Sequence, residues 1–116
     1  MNLREVLQTQ LNGYSEYHQS KANLILHVLL VPLFLAGNIA LVVALLGQAW
    51  IIAAAGAFTM LLSLALQGRG HKSEPNPTDP FTGPGNALTR LFFEQWLTFP
   101  RFVVTGGWFR ALRNAR

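Results

Sequence analysis

The architecture of this chain is set by residues 24–46, LILHVLLVPLFLAGNIALVVALL. Only His27, Pro32, Gly37 and Asn38 within it are not plainly apolar. As an α-helix this stretch would extend roughly 34 Å, which is enough to cross the hydrocarbon core of a bilayer, about 30 Å thick. The sequence therefore predicts a first membrane-spanning helix at residues 24–46.

A second apolar stretch follows after a turn at Gly47 and Gln48. Residues 49–66, AWIIAAAGAFTMLLSLAL, would reach about 27 Å as a helix and just cross a bilayer core. So short a turn makes the two helices antiparallel neighbours. Small residues that let helix backbones approach recur at four-residue spacing in the second stretch: Ala49, Ala53 and Ala57. The expected unit is a transmembrane helical hairpin.

The charged residues are segregated from this hairpin. The chain of 116 residues is 51% hydrophobic and 12% charged, with a formal net charge of +4. All nine Lys and Arg lie outside the hairpin, since no charged residue occurs between Lys21 and Arg69. The positive-inside rule therefore predicts an integral membrane protein with both termini cytoplasmic, in the inner membrane of a bacterium or an ER-like membrane of a eukaryote.

The same charge distribution and the composition exclude several classes of function. A nucleic-acid interface needs basic side chains spread over a recognition surface, so we expect no nucleic-acid partner. The chain contains no cysteine, which excludes disulfides, thiolate metal sites and cysteine nucleophiles. A signal peptide would be shorter and have a simpler leader, and a soluble bundle of this size cannot easily cover two such apolar helices.

We therefore expect an all-α membrane protein, a two-span transmembrane hairpin with flanking amphipathic and interfacial helices in a single domain, residues 1–116. Its expected segments are an amphipathic helix at 1–13, a first helix at 14–46, the second span at 49–66, a proline-rich loop at 72–86 and interfacial helices at 87–116.

The segment after the loop is predicted to begin with a helix. Asn86 is the expected N-cap of a helix over residues 87–99 that Pro100 ends. Within this helix Arg90 is expected to pair with Glu94. Aromatic and arginine residues are frequent beyond residue 80, which is typical of segments that lie among lipid headgroups.

All three histidines fall at one face of the predicted membrane. An antiparallel hairpin brings the start of its first helix beside the end of its second, so His27 and His71 can approach within metal-ligand distance. His18 is about half a turn out of phase with His27, so both face one site only if the helix begins between them or the chain bends. With Glu74 and Asp79 close behind His71, the residues fit a site of nitrogen and oxygen ligands for iron or another transition metal.

Other interpretations of these histidines stay open at this point. Each one alone could be a structural or surface residue, for example with His27 hydrogen-bonded to Asn23 or water. His27 could also bind haem or a quinone. The chain as a whole could be a non-enzymatic membrane scaffold or a lipid-binding protein.

The polar residues also form a pattern around the two spans. It reads Y-x3-H-x4-N-x3-H-x4-P, formed by Tyr14, His18, Asn23, His27 and Pro32, followed by Q-x2-G-H, formed by Gln67, Gly70 and His71, with Glu74 behind. In this pattern the chain resembles, over roughly residues 14–76, the yeast-type family of membrane 2-hydroxy fatty acid dioxygenases that metabolise phytosphingosine to odd-numbered fatty acids.

The resemblance implies an Fe(II)-dependent dioxygenase that uses O2 to shorten a 2-hydroxy fatty acid by one carbon, without 2-oxoglutarate. It implies His18, His27 and His71 as catalytic metal ligands, with Glu74 as a further ligand. Tyr14, Asn23 and Gln67 would then orient the ligands. Arg69 and Lys72 could attract the carboxylate of a fatty-acyl substrate that lies along the hairpin in the lipid. We expect the flanking helices or a second copy in a homo-oligomer to complete the site.

Overall fold

The computed structural model describes residues 2–115, so Met1 and Arg116, the outermost residues of the expected domain, lie outside it. The described residues form helices and loops without a strand, which confirms the all-α expectation. In chain order they form α1 (Leu3–Gly13), a 3-10 turn (Tyr14–Tyr17), α2 (Lys21–Leu46), α3 (Trp50–His71), α4 (Pro84–Phe93), a π-helical turn (Glu94–Thr98), α5 (Phe99–Val104) and α6 (Gly107–Asn114).

Helices α2 and α3 are both long and apolar enough to cross a membrane. In their most apolar windows only 28% and 22% of the residues are buried within the chain. The unburied side chains are large and apolar, with Leu46 82% and Ile51 87% exposed.

The two long helices pack against each other along their length. A Cβ atom added to Gly56 would lie 2.7 Å from the carbonyl oxygen of Gly37, so the two backbones are in direct contact there. Farther along, the Ser63 hydroxyl donates to the carbonyl of Leu30 at 2.6 Å. The contact moves forward along α3, from Gly56 to Ser63, and backward along α2, from Gly37 to Leu30. The two helices therefore run antiparallel. The buried face of α3 contains Ala53 of the expected small-residue ladder, whereas Ala57 is only half-buried.

The chain does not form one continuous helix over residues 14–46. It passes from the 3-10 turn through an extended segment, and α2 begins at Lys21, where the Ser20 side chain accepts a hydrogen bond from the backbone N–H of Asn23. The start of a helix leaves backbone N–H groups without intrahelical partners, and a serine in extended conformation satisfies one of them. The break therefore falls between His18 and His27.

The C-terminal part differs from its sequence prediction in three respects. The loop ends at Gly83, because Pro84 takes the first helical position, where its missing N–H is not needed, so Asn86 is not the N-cap. Pro100 does not end the helix, because the preceding π-helical turn widens the backbone and Pro100 then lies in the first turn of α5. Arg90 does not pair with Glu94.

Tryptophans and phenylalanines dock the C-terminal helices onto α2. The indole N–H of Trp108 donates to the carbonyl of Leu24 at 2.9 Å, and that of Trp96 donates to Asn38 Oδ1 at 3.0 Å. Tyr14, Val31 and Phe99 form a small buried core between the N-terminal segment, α2 and α5. These contacts place the π-helical turn beside the end of the α2–α3 pair that carries the histidines.

The glycine contact between α2 and α3 gives a direct test of their packing. We expect Gly56→Leu to lower the free energy of unfolding by about 1–3 kcal/mol, because its side chain would meet the backbone of α2. The measurement is denaturant or thermal unfolding of the purified protein. Gly68→Leu is the matched control on the same helix, since an added Cβ there meets no atom within 4 Å. Equal destabilisation by both changes would contradict the close contact.

Candidate metal centre

The three histidine rings lie together at one end of the α2–α3 pair. Their centroids are 5.0 Å apart for His18 and His27, 4.8 Å for His18 and His71, and 4.9 Å for His27 and His71. His18 belongs to the segment before α2, His27 to the second turn of α2, and His71 ends α3. Because α2 begins between His18 and His27, the phase difference between them does not keep them apart.

Backbone carbonyls fix the proton on two of these rings. Nδ1 of His18 lies 2.7 Å from the carbonyl oxygen of Tyr14, and Nδ1 of His27 lies 3.0 Å from that of Asn23. A carbonyl oxygen only accepts hydrogen bonds, so in each ring Nδ1 is the donor. In the neutral ring the other nitrogen, Nε2, then has a free lone pair, which is the form that binds a metal.

The nitrogens that face the middle of the cluster have no hydrogen-bond partner among the described residues. They are Nε2 of His18, Nε2 of His27 and Nδ1 of His71, and all three are buried. Buried polar atoms are nearly always satisfied, because leaving them unpaired costs free energy. Three such nitrogens beside one another fit a shared cation.

Glu94 from the π-helical turn completes the group. Its Oε2 atom lies 3.4 Å from Nε2 of His18 and 3.7 Å from Nε2 of His27. One ligand atom from each of His18, His27, His71 and Glu94 lies within 4.8 Å of the others. Ligands at about 2.0–2.2 Å from one ion lie at most about 4.4 Å apart, so the group is close to the size that a metal ion needs.

Sequence reasoning missed Glu94 and named Glu74 in its place. The carboxylate of Glu74 accepts hydrogen bonds from the backbone N–H groups of Gln19 and Ser20 and from the side chain of Asn23. It thus joins the end of α3 to the start of α2, where a helix N-terminus favours a negative charge. The signal for Glu94 was its isolation, because it is the only acidic residue after Asp79 in a tail rich in arginine.

Tyr14 contacts two members of the group. Its hydroxyl donates to Oε2 of Glu94 at 2.9 Å, and its ring stacks on that of His18 with centroids 3.8 Å apart. Burial raises the pKa of the Tyr14 hydroxyl well above its usual value, and the Glu94 carboxylate raises it further. The hydroxyl is therefore a hydrogen-bond donor at neutral pH.

The carboxyl group of Glu94 is ionised at neutral pH. Burial acts to raise its pKa, but the neighbouring imidazole rings of His18, His27 and His71 outweigh burial and lower the pKa to about 2. The group thus combines one anionic oxygen ligand with imidazole nitrogens, a set suited to first-row transition metals.

Gln67 does not hydrogen-bond to a histidine. It forms a reciprocal amide pair with Gln95, with hydrogen bonds of 2.9 and 2.8 Å, and it also donates to the Ser63 hydroxyl. Gln67 precedes His71 by about one helical turn, and Gln95 follows Glu94 directly. The buried pair therefore fixes the helix that carries His71 against the turn that carries Glu94.

Arg69 and Lys72 are exposed and do not line the cavity that adjoins the histidines. This cavity has a volume of about 1180 Å³ and lies between α1, α3, α4 and residues 78–82, with His18, His71 and Glu94 in its wall. The flanking segments of one chain supply Tyr14, His18 and Glu94, so a second copy is not needed to bring the four ligand groups together.

The Tyr14 hydroxyl allows a test that leaves the packing of the site unchanged. We expect Tyr14→Phe to lower metal affinity about 10–100-fold, because it removes the donor that orients Glu94 but keeps the ring stacked on His18. The measurement is a titration of the metal-free protein with Fe(II) under anaerobic conditions. Tyr17→Phe is the control, since it removes a hydroxyl outside the group. Unchanged affinity in Tyr14→Phe would show that this hydrogen bond does not support metal binding.

The chain was compared with protein-family models, with curated proteins and with solved structures, and none of the three comparisons found a match. The geometry of the four side chains and the resemblance in the sequence pattern are therefore what point to a function.

Proposed function

We propose that this chain is a membrane-embedded metalloenzyme that holds Fe(II) with His18, His27, His71 and Glu94 and uses O2 to shorten 2-hydroxy fatty acids by one carbon. The observation that carries the proposal is the set of three buried, unpartnered imidazole nitrogens beside an ionised carboxylate. The chemistry of the substrate comes from the family resemblance of the pattern that contains these histidines.

The types of ligand atom support iron as the bound metal. Imidazole and carboxylate ligands without thiolates suit iron and other borderline transition metals, and two histidines with one carboxylate are the ligands of many non-haem Fe(II) oxygenases. When bound, the ion would supply Lewis acidity and a template that orients substrate and O2. Tyr14 and the backbone carbonyls of Tyr14 and Asn23 hold the ligands in a binding orientation.

O2 is the only co-reactant that the proposed reaction needs. A 2-hydroxy acid and one O2 give the acid one carbon shorter, CO2 and water, so the four electrons that O2 accepts all come from the substrate. No 2-oxoglutarate is needed as a second electron donor. The hydroxyl and carboxylate of the substrate offer two adjacent oxygens for chelation, and the cavity beside His71 and Glu94 gives them access.

We propose further that α2 and α3 cross the membrane as an antiparallel hairpin with both termini cytoplasmic. The large apolar side chains that α2 and α3 leave exposed support lipid contact. The absence of charged residues between Lys21 and Arg69, with every Lys and Arg outside the hairpin, supports the orientation. The metal centre then lies near the cytoplasmic face.

Metal content and product formation test the enzymatic proposal together. We expect the purified protein to bind about one Fe(II) per chain under anaerobic loading, and His27→Ala, His71→Ala and Glu94→Gln to lose most of it, since each removes a ligand group. Glu16→Gln is the matched control for Glu94→Gln. Metal content is measured by elemental analysis.

The loaded protein is then given O2 and 2-hydroxyhexadecanoic acid, and we expect pentadecanoic acid as the product by mass spectrometry. If the protein binds metal but does not form this product, it is a metalloprotein with a different activity. Equal, negligible metal content in all variants would favour a scaffold or lipid-binding role.

The absence of cysteine allows a clean test of topology. In intact cells we expect a cysteine introduced as Gln48→Cys to react with a membrane-impermeant maleimide added outside. Asn114→Cys, an exposed site in α6, should react only after the cells are opened. Both sites reacting from the same side would contradict a hairpin that spans the membrane.

A further inference from the structure

We infer that the cavity beside the metal centre is the binding site for a single acyl chain of a carboxylic acid, with the carboxylate end near His71 and Glu94 and the tail directed toward Leu64. The carboxylate end of this assignment rests on the proposed function. The position of the tail rests on the shape and lining of the cavity. This differs from a substrate chain that lies along the outside of α2 and α3 in the lipid.

One face of α3 forms a continuous wall of the cavity. Leu64, Gln67, Gly68 and His71 line it at the spacing of residues that share a helix face. From His71 to Leu64 the wall extends about 10 Å along the helix at about 1.5 Å per residue. The cavity therefore leads from the metal centre along the apolar length of α3.

The lining fits an amphipathic acid. Apolar side chains from several elements contact the cavity, namely Leu3, Val6, Leu64, Phe81 and Leu91. Its volume of about 1180 Å³ is slightly above the usual range for small-ligand sites, which is about 300–1,000 Å³. A long, flexible apolar chain is an occupant that this volume and lining can hold.

Charged side chains of both signs line the cavity: the acidic Glu16, Asp79 and Glu94, and the basic Arg90. Arg90 is the only lysine or arginine among the described residues that line the cavity, and it lies about one helical turn before Glu94. Its guanidinium donates to the carbonyls of Asp79 and Pro80 at 2.9 and 3.2 Å and lies over the Phe81 ring. These contacts hold the guanidinium of Arg90 beside Phe81.

Two glycines leave space in this cavity. A Cβ atom added to Gly68 in α3 or to Gly85 in α4 would meet no atom within 4 Å, and both residues line the cavity. Gly37, Gly56 and Gly70 differ, because a side chain there would collide with the neighbouring helix. A large residue at Gly68 would thus occupy the cavity without disturbing helix packing.

The experiment measures binding rather than turnover. Protein loaded with Fe(II) and kept free of O2 is mixed with 2-hydroxyhexadecanoic acid or with 2-hydroxybutanoic acid, and complexes are counted by native mass spectrometry. We expect Gly68→Phe to weaken binding of the long acid at least tenfold and to leave the short acid and the metal content unchanged. Ala65→Phe, an exposed position on the same helix, is the matched control and should bind like the original protein.

Gly85→Phe tests the same site from α4 and serves if Gly68→Phe does not fold. Full binding of the long acid by both cavity variants, or equal loss in Ala65→Phe, would overturn the assignment, as would failure of the unmodified protein to bind the long acid. If no metal binds but the cavity variants still lose the long acid selectively, the proposed reaction fails and the acyl site stands. If metal binds but the cavity variants do not change binding of the long acid, the acyl site fails and the metal centre of the proposed function stands.

Discussion

Three buried imidazole nitrogens and one carboxylate face each other in this structure, and the surrounding helices hold them in place. A buried lone pair without a donor is unfavourable, and several together are more so, because like partial charges repel. Such a cluster persists only if the surrounding structure holds it rigidly or a cation occupies it. The fold supplies the rigidity from four separate pieces of chain.

Three different interactions join these pieces. Close contact between Gly37 and Gly56 fixes α2 against α3 and so sets the distance between His27 and His71. Glu74 ties the segment after His18 to the end of α3. The paired amides of Gln67 and Gln95 join α3 to the turn that carries Glu94. Hydrogen bonds between two neutral amides satisfy both partners within an apolar interior, where an ion pair would cost more to bury.

The local backbone also serves the site. His18 and His27 each donate from Nδ1 to the carbonyl four residues earlier, so two different backbone conformations produce the same ring tautomer. Glu94 begins a π-helical turn, a rare feature that is frequent at functional sites. The cavity then gives three members of the group a common approach along α3, between apolar side chains of α1, α3 and α4.

Local sequence patterns were enough to predict the helical class, the two apolar helices and the residue types of the centre. Uninterrupted apolar runs, a short turn and histidines at both ends are local signals, and the antiparallel return of α3 makes His27 and His71 neighbours. Two features could not be predicted in this way: Glu94 rather than Glu74 lies among the histidines, and a helix continues through Pro100. Both depend on how the C-terminal segment folds back onto α2, through indole hydrogen bonds and aromatic packing between residues far apart in the chain. Hydrophobic periodicity within one segment carries no information about such long-range contacts, because it records which face is apolar and not which partner covers it.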